Sequence, residues 1–358
     1  MSQYNDKYGD FFESYSPNRP PSDEPPQKKR KKKRPFKFLV SLLALVLVGV
    51  IAFLCLSKCN GDSSLVMGTG SGYNTLSSAT ESTVSEPLKP KDLSFKSVDT
   101  TKLIEGIDST YAVLADCSDS TILASRLGNE RMYPASMTKI MTLLVAAENV
   151  TDIGAKFLMT SKIIDPLYKE EATMAGFCPG EEVEAIDLFY GTVLVSGAEA
   201  AAGLAVLVAG SEERFIEMMN EKVQELGLKN THFTNMTGLH DKDHYSTCID
   251  MAVIMRACIE NDFCKTILST EYYTVKKNSF HEEIKFHSTM FSRMYGTEPE
   301  VVTILGGKTG YTSNSGHCLV TYGESNDGRT LISVTAAGEG RYKPIYDTIN
   351  IYKNYSAK

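Results

Sequence analysis

One run of residues constrains this chain before any other. Phe38–Ser57 is 20 residues long, carries no charge and is mostly aliphatic. At about 1.5 Å of helical rise per residue, ~20 residues cross a ~30 Å hydrocarbon core. The segment Lys28–Arg34 lies just before it and is an unbroken basic run. A basic flank on one side orients a single span with its N-terminus in the cytoplasm. A cleaved signal peptide would have a shorter apolar region of about 7–15 residues and an Ala-x-Ala-like site. This run is longer and no such site follows it, so an uncleaved anchor is expected.

The span divides the charge. Residues 1–37 hold ten Lys/Arg against five Asp/Glu, whereas the whole chain of 358 residues has a net charge of −7. Everything after the span is therefore strongly acidic. An acidic domain repels phosphates overall, so no nucleic-acid partner is expected. Residues 1–27 are rich in Pro, Ser, Asp, Glu and Tyr with few aliphatics, and with the basic run that follows, 1–37 read as a disordered basic cytoplasmic tail. Residues 58–90 are Gly/Ser/Thr-rich without hydrophobic periodicity and read as a flexible linker, with an r.m.s. reach of roughly 30 Å. A globular domain is expected over 91–358, outside the membrane. The eight cysteines include no C-x-x-C pair; Cys258 and Cys264 are close enough in sequence for a disulfide.

In that domain, Tyr111–Asp116 and Thr121–Ser125 read as strands of a hairpin, and Met137–Asn149 as a helix entered through Pro134 and Ser136. Leu188–Ala209 is apolar and Ala-rich, but its glycines and Glu199 argue for buried helix rather than a second span. Glu212–Leu226, Thr247–Glu260 and Lys343–Tyr355 read as further helices. Val301–Gly310, His317–Tyr322 and Thr330–Ala337 read as strands, with a turn at Ser325–Gly328. Strands at both ends and helices between them predict an α+β fold: a five-stranded antiparallel sheet flanked by helices, with an inserted helical lobe.

Three constellations carry chemistry. In Ser136-Met137-Thr138-Lys139, positions three apart share a helix face, so the hydroxyl and the amine can meet. Ile140, Met141, Leu143 and Leu144 would desolvate Lys139, lower its pKa and make it a general base. Ser136 also stands at a helix N-terminus, which favours developing negative charge. Lys308-Thr309-Gly310 ends a strand; the lysine and threonine suit a terminal carboxylate, and the glycine lets a ligand approach the strand edge. Ser196-Gly197-Ala198 breaks two apolar segments and could project a hydroxyl into a cleft. Each motif alone also fits a surface lysine, a strand end or a packed small residue. The chain has no His-Glu-x-x-His, and its six histidines lack ligand spacing, so neither metal nor cofactor is implied.

The order Ser-x-x-Lys, Ser-Gly-x, Lys-Thr-Gly resembles the signature of penicillin-recognising serine enzymes. Pro134–Thr142, Gly227–Phe233, Gly238-Leu239, His244–Thr247, Gly307–Thr312 and Gly316–Val320 are similar to segments of one branch, the low-molecular-mass D-alanyl-D-alanine carboxypeptidases (peptidase family S11). The resemblance covers roughly residues 97–355. It implies a β-lactamase/transpeptidase-like fold, a peptidoglycan stem peptide as substrate and β-lactam antibiotics as ligands. It implies Ser136 as nucleophile, Lys139 as base and Ser196 as proton relay. Lys308 and Thr309 would hold the carboxylate beside Gly310, and backbone N–H groups of Ser136 and Tyr311 would form the oxyanion hole. Many members add a C-terminal β-domain; here the N-terminal span would anchor the enzyme instead. The middle motif usually reads Ser-x-Asn, and Ala198 stands at the asparagine. That departure leaves a non-catalytic peptide-binding module as one alternative. A β-lactamase, with Glu170 or Glu171 near the place of a deacylating group, is another.

Overall fold

The computed structural model describes residues 92–357 apart from Glu298. The basic tail, the Phe38–Ser57 span and the 58–90 linker lie outside the described residues. Among the described residues no helix is long and apolar enough to cross a membrane.

The centre is a six-stranded sheet in the order β1-β3-β2-β10-β9-β8. Its strands are β1 (Lys96–Leu103), β2 (Tyr111–Asp116), β3 (Thr121–Arg126), β8 (Val302–Thr312), β9 (Gly316–Ser325) and β10 (Thr330–Gly338). Two short hairpins lie elsewhere, β4 (Lys156–Leu158) with β5 (Glu182–Glu184), and β6 (Tyr272–Val275) with β7 (Ile284–His287). All five expected strands of the main sheet are present and pair antiparallel. The expectation of five strands needs one correction: β1 adds a sixth, parallel to β3 at the sheet edge. Its sequence, KSVDTTKL, is exposed at seven of eight positions. An exposed edge strand needs no apolar alternation, so periodicity carries no signal for it.

Nine helices are described: α1 (Lys139–Asn149), α2 (Ser161–Lys169), α3 (Ala185–Val193), α4 (Ala198–Ala209), α5 (Glu212–Glu225), α6 (Cys248–Glu260), α7 (Asp262–Ser269), α8 (Thr289–Met294) and α9 (Lys343–Tyr355). Strands alternate their faces. Ala112 and Leu114 of β2 share a core cluster with Ile345, Ile349 and Tyr352 of α9, and α6 packs on β2, β9 and β10. Val113 and Ala115, which point the other way, are fully buried too, so both faces of the sheet are covered.

α1 is the centre of the helical lobe, packed against α3, α4, α5, α6 and α7. Its first eight residues, Lys139–Ala146, are all buried. A helix buried on every side must be apolar on every side, which Ile140–Ala146 nearly satisfies. Leu188–Ala209 resolves into the end of α3 and the whole of α4, broken at 194–197. Thr247 caps α6 by accepting from the Asp250 N–H at 3.0 Å. Cys258 and Cys264 are free thiols, each set against a carbonyl of α1, those of Ile140 and Leu143.

Candidate active site

The nucleophile segment differs from the expected continuous helix. Ala135–Thr138 is a 3-10 turn, and α1 begins only at Lys139. In a 3-10 turn the side chains at i and i+3 eclipse, so the tighter turn brings Ser136 and Lys139 together more directly than an α-helix would. Lys139 Nζ donates to Ser136 Oγ at 3.1 Å and to the Thr237 carbonyl at 2.6 Å. The lysine is 2% exposed. Burial pulls its pKa down to about 7, and the Glu199 carboxylate acts in the opposite sense. Near neutrality, then, a large share of Lys139 is a free amine within reach of the serine proton.

A second lysine and serine pair stands on the adjoining elements. Lys308 of β8 donates to Ser196 Oγ at 3.0 Å and to the Thr309 carbonyl at 2.8 Å. Burial pushes Lys308 well below its ordinary value, and the charges of Lys139 and Arg293 add to that. Ser196 lies in the break between α3 and α4 with φ +65°, and Ala135 has φ +47°. Left-handed backbone at non-glycine residues costs of order ~1–3 kcal/mol, and here it occurs beside both serines of the cleft. Thr309 Oγ1 is 2.8 Å from Thr289 Oγ1, which fixes its rotamer at the start of α8.

Two glycines set the closeness of the parts. A Cβ on Gly310 would lie 3.0 Å from the Ser136 nitrogen and 3.1 Å from the Pro134 oxygen. β8 therefore runs so close to the Ser136 turn that a side chain at 310 would need its neighbours to give by a few tenths of an ångström. β8 is also an outer strand of the sheet, so one side of its backbone lacks a strand partner. Gly238, with φ +81°, lies closer still: a Cβ there would be 1.9 Å from the Ala135 oxygen.

The segment around Gly238 carries the residues that motif reasoning did not assign. Asn235 Oδ1 accepts from the N–H groups of Thr237 and Gly238 and from Thr237 Oγ1. That clamp holds the Thr237 carbonyl toward Lys139. Thr142 Oγ1 donates to the Met236 carbonyl at 2.7 Å, tying the same segment to α1. His244 Nδ1 accepts from the Thr234 N–H at 3.1 Å, which leaves the proton on Nε2 to donate to Thr138 Oγ1 at 2.7 Å. Burial holds His244 at a pKa of about 4 and hence neutral. A backbone carbonyl acceptor has no residue signature, so only the fold could reveal Thr237.

These groups open on a cleft of about 540 Å³, lined by Ser136, Lys139 and Ser196 on one side and by Tyr311–Asn314 on another. Tyr311 is 57% exposed at its rim and stacks on His317. Glu170 and Glu171 line the same cleft, as does Ala198. Lys308 and Thr309 are buried behind it. The arrangement can deprotonate a serine, supply backbone donors beside it and meet an anionic group along β8.

The sequence model of the D-alanyl-D-alanine carboxypeptidase family, peptidase S11, matches residues 97–339. This chain belongs to that family. Among the family's characterised members, the D-alanyl-D-alanine carboxypeptidase DacF of Bacillus subtilis is 34% identical over 234 residues, which is 64% of this chain and 58% of DacF. The chain thus spans less than two thirds of that relative's length. The crystal structure of the Streptomyces K15 DD-transpeptidase superposes with a TM-score of 0.63 at 26% identity, covering 71% of this chain and 98% of the transpeptidase. Penicillin-binding protein 5 of Haemophilus influenzae gives a TM-score of 0.61 at 28% identity, covering 70% of this chain and 71% of that protein. The fold of this chain is therefore the expected β-lactamase/transpeptidase-like one, with six strands in its main sheet where five were expected. Ala198 lines the cleft with Lys139, whose two hydrogen-bond partners are the Thr237 carbonyl and the Ser136 hydroxyl.

Proposed function

We propose that this chain is a serine-type D-alanyl-D-alanine carboxypeptidase acting on peptidoglycan stem peptides. The observation that carries the reading is the buried Lys139 amine, 3.1 Å from Ser136 Oγ with a pKa held near 7. Lys139 takes the Ser136 proton as Oγ attacks the carbonyl between the two terminal D-alanines. The oxyanion that forms is stabilised by the N–H groups of Ser136 and Tyr311. The terminal carboxylate lies along β8 by Thr309, with Lys308 giving it charge, while Gly310 lets β8 pack close to the Ser136 turn. A carboxylate brought beside Lys308 favours its ammonium form, offsetting the burial that lowers its pKa. Ser196, hydrogen-bonded to Lys308, relays the proton that Lys139 took from Ser136 to the nitrogen of the departing D-alanine, giving up its own hydroxyl proton and taking that one in its place, so that Lys139 returns to the free amine. Water then hydrolyses the acyl-enzyme. β-Lactam antibiotics, which present a carboxylate and a strained amide, would acylate Ser136 in the same way.

The intact Ser136–Lys139 pair supports an enzyme over a binding module despite Ala198. The experiment is incubation of the protein with a peptide ending in D-Ala-D-Ala and with labelled penicillin. Released D-alanine and an adduct mapped to Ser136 are expected. An adduct that survives in Ser136→Ala overturns the nucleophile, and rapid release of the penicilloyl group would favour a β-lactamase.

The proposal includes the anchor: residues 1–37 in the cytoplasm, a single span at 38–57, a linker over 58–90 and the catalytic domain at the outer face. Its support is the basic run beside an uncharged 20-residue segment. Protease added to intact spheroplasts should remove the domain; protection until lysis would contradict this topology.

A further inference from the structure

Glu199 has no step in the mechanism above, yet it is fully buried in the first turn of α4, three residues after Ser196. Its Oε1 accepts from three successive backbone N–H groups: Ala175 at 2.7 Å, Gly176 at 2.8 Å and Phe177 at 3.3 Å. Successive backbone N–H groups converging on one oxygen make a cradle for an anion. Oε2 is buried without a hydrogen-bond partner among the described residues. A protonated carboxyl would need an acceptor for its O–H, whereas every polar contact of this group is a donor. The contacts therefore favour the carboxylate, although burial raises its pKa.

The cradle adjoins the wall of the cleft. Glu170, Glu171, Ala172 and Thr173 line the cleft immediately before it. The Ala198 N–H donates to the Thr173 carbonyl at 2.7 Å, so α4 grips this wall at adjacent residues. The same carboxylate acts electrostatically on Lys139.

We propose that Glu199 is a positioning residue for acylation: its carboxylate fastens residues 175–177, directly behind the cleft-lining segment that ends at Thr173, and its buried negative charge acts on Lys139. The inference deepens the carboxypeptidase reading and rests on it for its enzymatic readout.

Other ionisable groups around Lys139 are placed differently. Lys308 of β8 and His244 lie near enough to interact with it, and both are displaced by burial toward their neutral forms. Glu170, Glu171 and His240 line the cleft. On the remaining elements packed on α1, Asp187 of α3 accepts from Tyr273 Oη, and Lys222 of α5 pairs with Glu148 at the far end of α1. Arg256 of α6 bonds Leu93, Ser120 and Cys117, while Cys258 of α6 and Cys264 of α7 face α1 carbonyls.

The test compares the full chain with Glu199→Gln and Glu199→Asp. Penicillin acylation is timed from pH 5 to 9, and Lys139 is titrated by NMR of 13C-labelled lysine. Gln keeps an acceptor for the three N–H groups but loses the charge, so Lys139 releases its proton more readily. The acidic limb of the profile and the lysine titration should both move to lower pH by about one unit. Asp keeps the charge on a shorter arm: the limb should stay in place while KM for a D-Ala-D-Ala peptide rises about tenfold as the wall loosens. A Gln profile and titration that overlay those of the native chain overturn the electrostatic role. An Asp variant with native KM overturns the wall role, and it decides even if the Gln variant does not fold. If the native chain forms no penicillin adduct, the carboxypeptidase reading fails, while the lysine titration still tests Glu199.

Discussion

Acylation of Ser136 should follow the deprotonation of Lys139 near neutral pH. The perturbation is pH alone, and the structure fixes the scale. With a pKa of about 7 in place of the ordinary 10.5, roughly half of the lysine is a free amine at pH 7, against about one part in three thousand for an unperturbed lysine. Burial thus contributes about a thousandfold in available base. Between pH 6 and pH 8 the neutral fraction rises from roughly one tenth to nine tenths, so the second-order rate of penicillin acylation should rise about tenfold and then level off. Stopped-flow or quenched measurements with a labelled penicillin would give the curve. Lys139→Ala should lose the acylation together with this limb, since it removes the base. A rate that climbs about a hundredfold from pH 6 to 8 and keeps rising toward pH 10 would mean that Lys139 titrates as an ordinary lysine. A flat profile would mean that another group takes the proton. Either result refutes the assignment of the base.

Three further outcomes follow from single contacts. Ala198→Asn should raise kcat/KM on a D-Ala-D-Ala peptide about three- to tenfold, the worth of one added net hydrogen bond; an equal or lower value at unchanged Tm would mean that the Thr237 carbonyl already holds Lys139 well enough. Gly238→Ala should cut acylation at least about a hundredfold and lower Tm, because its Cβ would lie 1.9 Å from the Ala135 oxygen and push the nucleophile turn aside; native acylation kinetics would show that the turn can yield. His244 has a folded pKa of about 4 against 6.5, so its contribution is complete above pH 6.5 and is lost as pH falls toward 4, to a limit of about 3 kcal/mol. The Tm of the native chain should therefore fall across that window more steeply than that of His244→Gln, and parallel curves would refute the neutral, buried histidine.

The sequence by itself determined whatever depends on short-range pattern. Near-continuous apolar, β-prone strands such as Tyr111–Asp116 and Thr330–Gly338 were legible because both of their faces are buried, and α5 was legible because Ser211 caps it and the chain turns at Gly227. The three motifs were legible because the chemistry ties them to residue types, with a hydroxyl and an amine one helical turn apart and a cation and a hydroxyl beside a glycine. β1 escaped notice because an exposed edge strand is free of any hydrophobic requirement, and α3 and α4 read as one apolar stretch because both are buried in the same lobe.

Only the tertiary structure decided how the motifs act on one another. It replaced the first helical turn with a 3-10 turn that stacks Lys139 over Ser136, and set β8 so close to that turn that a Cβ at Gly310 would crowd it. It brought the Thr237 carbonyl, 98 residues away in sequence, to the amine of Lys139. It also gave Glu199 three backbone donors and took the solvent from both lysines. Residue type fixes what a group can donate or accept; its pKa and its partners depend on dielectric and distance, which exist only once the chain has packed.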